Sequence, residues 1–82
     1  MGAFEVSRSI DVLGVSCPLN AMRVKNALLS LEPGELIEVF IDEGEAVFRV
    51  ARTLKDAGNR VVKVEPRPGG LSMIVEKGGK HA

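Results

Sequence analysis

Between residues 8 and 77 the apolar residues change their spacing several times, and that rhythm restricts the fold more than any single residue does. Residues 4–12 alternate. Phe4, Val6, Ile10 and Val12 fall on one parity, and Glu5, Ser7, Ser9 and Asp11 on the other. Alternation of this kind predicts a half-buried strand, with Arg8 interrupting its apolar side. Residues 18–32 then place Ala21, Val24, Leu28 and Leu31 at helical spacing, with Ala27 adjoining them. One face of a helix is thereby apolar, and Pro33-Gly34 stops it. Residues 35–41 are apolar on both parities. A strand buried on both faces, or one in the middle of a sheet, has this pattern. Asp42 stands three residues before Glu45, a capping-box spacing that opens a second helix. That helix is expected to reach Ala57, with Val47, Val50, Leu54 and Ala57 inward, and Gly58-Asn59 ends it. Residues 60–65 carry Val61, Val62 and Val64, and Leu71 to Lys77 carry Leu71, Met73 and Val75 on one parity. With Pro66 to Gly70 between them, the pair predicts an antiparallel hairpin with a five-residue connection.

The predicted order is β-α-β-α-β-β, without linker or repeat. Right-handed crossovers put both helices on one face of a four-stranded mixed sheet. The fold class is therefore α/β, an α+β two-layer sandwich whose second sheet face is more open to solvent. At 82 residues the chain is expected to form one domain over 1–82, with its core within about 8–77 and a flexible tail at 78–82.

Composition narrows the function. Eleven basic and eleven acidic residues leave a formal net charge of zero, so nothing draws the whole chain to nucleic acid or to an anionic membrane. RNA binding through Arg49, Arg52, Lys55, Arg60 and Lys63 is further disfavoured because no aromatic stacking platform accompanies them. These residues are expected to form a solvated basic face, with Phe48 partly covered by a neighbouring loop. No apolar run spans a bilayer, and the N-terminus lacks a charged region followed by an apolar one. The chain has one cysteine, Cys17, and one histidine, His81. An internal disulfide is impossible, a structural zinc site is not expected, and no cofactor enters the reading. A lone thiol suits the reducing cytoplasm.

Cys17 lies directly before Pro18, where the first helical pattern begins. Proline suits the first helical turn, and the residue before it is pushed out of helical dihedrals. Cys17 is therefore the expected N-cap, facing unpaired amides and the positive end of the helix dipole. Both favour the thiolate, which is the nucleophile. The plain alternative is a small buried hydrophobe, but a strand-to-helix junction belongs at the end of the layer rather than inside it. A dithiol oxidoreductase is excluded because no second cysteine exists. Papain-like catalysis fails because His81 falls in the expected tail. Asp11 and Gly14 are read as loop-shaping residues, Asp11 through backbone hydrogen bonds and Gly14 through its dihedral freedom. Leu19, Met22 and Leu29 lie off the apolar face. They read either as scattered surface hydrophobes or as a docking strip beside the thiol.

Asp11-x-x-Gly14-x-x-Cys17-Pro18, the helix after it, Pro33-Gly34 and the order of elements resemble the TusA/SirA-like family of small sulfur carriers. The resemblance covers residues 8–77. The family's usual signature is Cys-Pro-x-Pro, and here the fourth position is Asn20. Asn20 keeps an N–H that proline lacks, and its side chain is free to bond within the first turn. The resemblance implies sulfur relay. Cys17 would accept sulfane sulfur as a persulfide from a cysteine desulfurase or another sulfurtransferase. It would pass that sulfur to an acceptor protein with a reactive cysteine. Pro18 would fix the helix start, first-turn amides would stabilise the anionic sulfur, and Arg23 and Lys25 would attract acidic partner surfaces. The competing function on the same fold is a non-catalytic interaction or redox-regulatory module.

Overall fold

A computed structural model describes residues 5–79. The elements are β1 (Arg8–Asp11), α1 (Leu19–Leu28), β2 (Leu36–Ile41), α2 (Glu45–Asp56), β3 (Arg60–Arg67) and β4 (Gly70–Glu76). They form one four-stranded sheet in the order β1-β2-β4-β3. β1 and β2 are parallel, while β4 runs antiparallel to both of its neighbours. The expected mixed sheet and order of elements are both present. Phe4 and His81 lie outside the described residues.

The core forms where one parity of the sheet meets both helices. Ile37, Val39 and Ile41 of β2 and Met73 and Val75 of β4 are fully buried. Val24 of α1 and Val50 and Leu54 of α2 close over them in the same cluster. The opposite parity of β2, Leu36, Glu38 and Phe40, is only half-buried, so apolar residues on both parities reflect a central position rather than cover on both sides. Polar groups complete that outer face. Glu38 accepts a hydrogen bond from Ser72 Oγ at 2.7 Å, and the Arg67 guanidinium lies 4.8 Å from the Phe40 ring centroid. Arg8 is on the helix side of the sheet edge, where its Nη1 donates to Ser30 Oγ at 2.8 Å. That accounts for its interruption of the apolar parity.

Several boundaries differ from the sequence expectation. α1 gives way after Leu28 to a tighter turn in which Leu31 N bonds Leu28 O at 3.0 Å. Lys77 Nζ also donates to Leu28 O, at 2.8 Å, and so satisfies a carbonyl at the helix end. The hairpin is tighter than five residues. β3 runs on to Arg67 and β4 starts at Gly70, leaving Pro68-Gly69 as the turn. Pro66 is thus inside a strand. It is tolerated because β3 is a sheet edge, where a missing donor breaks no ladder. Gly78 was expected to open the loose tail, but its amide donates to Asn59 Oδ1 at 3.0 Å. The Asp42–Glu45 capping box does not form. Gly44 occupies the N-cap with φ +90° and no side-chain cap, because Asp42 is engaged elsewhere.

No helix among the described residues is long and apolar enough to cross a membrane.

Leu54 is fully enclosed, whereas Leu29 is 76% exposed. Leu54→Ala is expected to cost about 2–5 kcal/mol in a denaturant melt, and Leu29→Ala to stay within about 0.5 kcal/mol of wild type. Equal effects would place the core elsewhere.

Candidate functional site

Because β1 and β2 are parallel and each is followed by a helix, α1 and α2 both return the same way. Their N-termini therefore lie together beyond the carboxyl ends of these two strands, the usual place for a site in a parallel α/β arrangement. Cys17 is in the loop that enters α1. Three contacts shape that loop. Asp11 Oδ1 accepts the Leu13 amide at 2.9 Å, closing an Asx-type turn. Val15 N bonds Val12 O at 3.1 Å. Gly14, at φ +76°, aims its amide at Asp42 Oδ2, 3.0 Å away. Asp42 follows β2, so this bond ties the cysteine loop to the segment that leads into α2. The loop also rests on the start of β4. A Cβ on Gly70 would come within 2.6 Å of Leu13 Cδ2 and of the Ile41 carbonyl oxygen, so this approach requires glycine.

The entry into α1 is one residue later than the sequence reading placed it. Pro18, not Cys17, occupies the N-cap, because its carbonyl accepts the Met22 amide at 3.1 Å and so starts the ladder. The Cys17–Pro18 peptide bond is cis. Asn20 N donates to Ser16 O at 3.1 Å, and Asn20 Oδ1 accepts the Ala21 amide at 2.7 Å. Asn20 is 1% exposed, so this side chain is an internal part of the first turn. Two amides that the sequence reading offered to the sulfur are thus satisfied within the chain.

What borders the sulfur instead is α2. Cys17 is exposed and lines a groove of about 510 Å³ together with Phe48, Arg49, Arg52 and Thr53. Phe48 is 73% exposed, so no loop covers it, contrary to expectation. Arg49 approaches Glu45 at 3.6 Å, a pair open to solvent on both sides. On α1, Leu19 and Met22 are exposed at the thiol end. Leu29 lies beyond the other end of α1, about 15 Å further along the axis by helical rise, so the three do not make one strip beside the thiol.

The basic residues weighed for RNA binding do not form one surface. Arg49 and Arg52 line the groove, while Arg60 pairs with Glu76 at 3.7 Å and Lys63 with Glu65 at 3.4 Å on the hairpin. Among the described residues, no group of three or more His, Cys, Asp or Glu side chains is placed to hold a metal ion.

Phe48, Arg49, Arg52 and Asp42 were not assigned to the site from sequence. The available signal was topological. Two helices following two parallel strands begin side by side, so the outer residues of the second helix's opening turns lie near the first helix's entry.

Asp42→Ala should speed amide hydrogen exchange at Gly14 and lower stability by about 1–2 kcal/mol, whereas Asp42→Asn, which keeps an acceptor oxygen, should do less. Asn20→Ala should cost about 1 kcal/mol through loss of the first-turn bond. Both are read by denaturant melts, and unchanged stability in either would remove the assigned contact.

Residues 8–77 match the sulfurtransferase TusA family. A protein of Thermotoga maritima, named as a candidate sulfur carrier, is 35% identical over 65 residues, 79% of this chain and 82% of that protein. The sulfur carrier protein TusA of Allochromatium vinosum is 22% identical over 73 residues, 89% of this chain and 96% of that protein. Among solved structures, the SirA-like protein of Desulfitobacterium hafniense superposes with a TM-score of 0.73 at 26% identity. The match covers 88% of this chain and 99% of that one.

Proposed function

Since the chain belongs to the sulfurtransferase TusA family, a family of sulfur carriers, we propose that Cys17 accepts a single sulfane sulfur as a persulfide and passes it to a cysteine of an acceptor protein. The observation that carries this reading is the setting of Cys17. The chain's one cysteine is exposed, outside the helix, in a groove at the carboxyl ends of the parallel strands.

The chemistry is two exchanges at one atom. The Cys17 thiolate attacks the outer sulfur of a donor persulfide, and the donor's cysteine sulfur leaves as a thiolate. In the second exchange an acceptor thiolate attacks the outer sulfur now on Cys17, and Cys17 leaves as a thiolate. Each exchange makes one S–S bond and breaks one, so no external oxidant or reductant is consumed. With no second cysteine in the chain, nothing internal can resolve the persulfide, and the sulfur must leave to another molecule. The donor is a cysteine desulfurase or another sulfurtransferase. A lone thiol that must stay reduced between exchanges suits the cytoplasm. Asp11, Gly14, Pro18 and Asn20 act by shaping the loop and the helix entry that hold Cys17 outward.

A non-catalytic interaction module using the same fold would need no accessible Cys17, and a redox-regulatory one would need an accessible thiol but no sulfur transfer. Incubation with a cysteine desulfurase and free cysteine is expected to add one sulfur atom to the wild-type protein by mass spectrometry, and none to Cys17→Ser. The addition should be lost on mixing with an acceptor thiol. Absence of the adduct with every sulfane donor tried, a cysteine desulfurase and other sulfurtransferases included, while Cys17 remains alkylatable would reject the carrier reading.

A further inference from the structure

The groove at Cys17 has a basic lining that protein-to-protein sulfur exchange does not by itself require. Arg49, Arg52 and Thr53 border it together with Phe48. Among the described residues Arg52 has no carboxylate partner, and Arg49 has only the solvent-exposed Glu45. A guanidinium is a planar fork of N–H donors suited to oxyanions, and two of them bordering the groove that also holds a sulfur nucleophile favour an anionic ligand there. The position is fixed by the fold. Arg49 and Arg52 are on the outer side of α2, away from the buried stripe of Val47, Val50 and Leu54. α2 begins beside the entry of α1 because β1 and β2 are parallel.

Resting on the reading of Cys17 as the sulfur-bearing residue, we propose that this groove takes small sulfane donors capped by an oxyanion, of which thiosulfate is the simplest. Arg49 and Arg52 hold the sulfonate oxygens, and Cys17 takes the outer sulfur. The physical need is charge. A thiolate and an anionic donor repel each other, and nearby guanidinium groups offset that repulsion. In the transfer a bond forms between Cys17 Sγ and the outer sulfur of the donor. The bond between that sulfur and the sulfonate sulfur breaks, and its electron pair leaves with sulfite. The outer sulfur moves at the sulfane level, so no oxidant or reductant is needed. Negative charge grows on the departing sulfite, where the two guanidinium groups and the Thr53 hydroxyl are available to stabilise it.

The test compares wild type, Arg49→Gln and Arg52→Gln with thiosulfate, following released sulfite and the added sulfur on Cys17. Alkylation by the neutral reagent iodoacetamide serves as a control for the thiol itself. Wild type should load from thiosulfate. Each variant should load about tenfold more slowly, the scale of one charge-assisted hydrogen bond, while alkylating at the wild-type rate. Variants that load from thiosulfate as fast as wild type would overturn the proposal. So would a wild-type protein that loads from a cysteine desulfurase but not from thiosulfate, and the carrier reading would then stand. Slower loading of the variants from the desulfurase alone would assign the arginines to protein docking and overturn the anion site. Loading from neither donor would overturn the carrier reading and the proposal together.

Discussion

The parallel pairing of β1 with β2, from Arg8 opposite Ile37 to Asp11 opposite Phe40, obliges the chain to cross back over the sheet between them. The crossover is α1. β3, which runs parallel to β2 with β4 between them, demands a second crossover, and that is α2. Both helices therefore cover one sheet face, bury one stripe each, and begin at one end of the molecule. The core residues Val24, Val50, Leu54, Ile37, Val39 and Met73 are the packing consequence of this arrangement. The shared end is its functional consequence, because it sets the loop that carries Cys17 beside the opening turns of α2.

That end is held by short polar contacts rather than by further apolar burial. Asp11 closes its own turn, Asp42 reaches across to the Gly14 amide, and Asn20 fills the first turn of α1. Each is a backbone donor satisfied by a side-chain oxygen, so the loop is ordered without enclosing the sulfur. Asn20 is buried at the entry of α1. Its two bonds, from its amide to Ser16 O and from the Ala21 amide to its side chain, hold the helix entry in place. The cysteine is left exposed at the rim of a groove whose other wall is part aromatic and part cationic.

Much of the architecture was legible in the residues. Helical spacing in 18–32, apolar residues on both parities of 35–41 and the inward set Val47, Val50 and Leu54 each reported a real element. Local polar choices were harder to read. Asp42 and Glu45 have the spacing of a cap, yet Asp42 bonds Gly14, which is 28 residues earlier. A distant amide competes with the local one, and no local pattern records it. Pro66 looked like turn because proline usually breaks a ladder. It lies within β3 because that strand's outer edge has no ladder to break. The groove was the least visible feature. Arg49 and Arg52 carry no sequence mark that separates a site wall from a solvated helix face, and only the placement of α2 beside Cys17 distinguishes them.

Whether the sulfur of Cys17 is open to reagents in the folded protein decides most directly between a carrier and a structural thiol. The measurement is the rate of Cys17 alkylation by iodoacetamide at increasing denaturant below the unfolding transition. An exposed sulfur reacts at a rate that stays flat until the protein unfolds. A rate that rises with the unfolded fraction and vanishes with it would show a thiol reached only through global unfolding. Sulfur relay through this residue would then be ruled out.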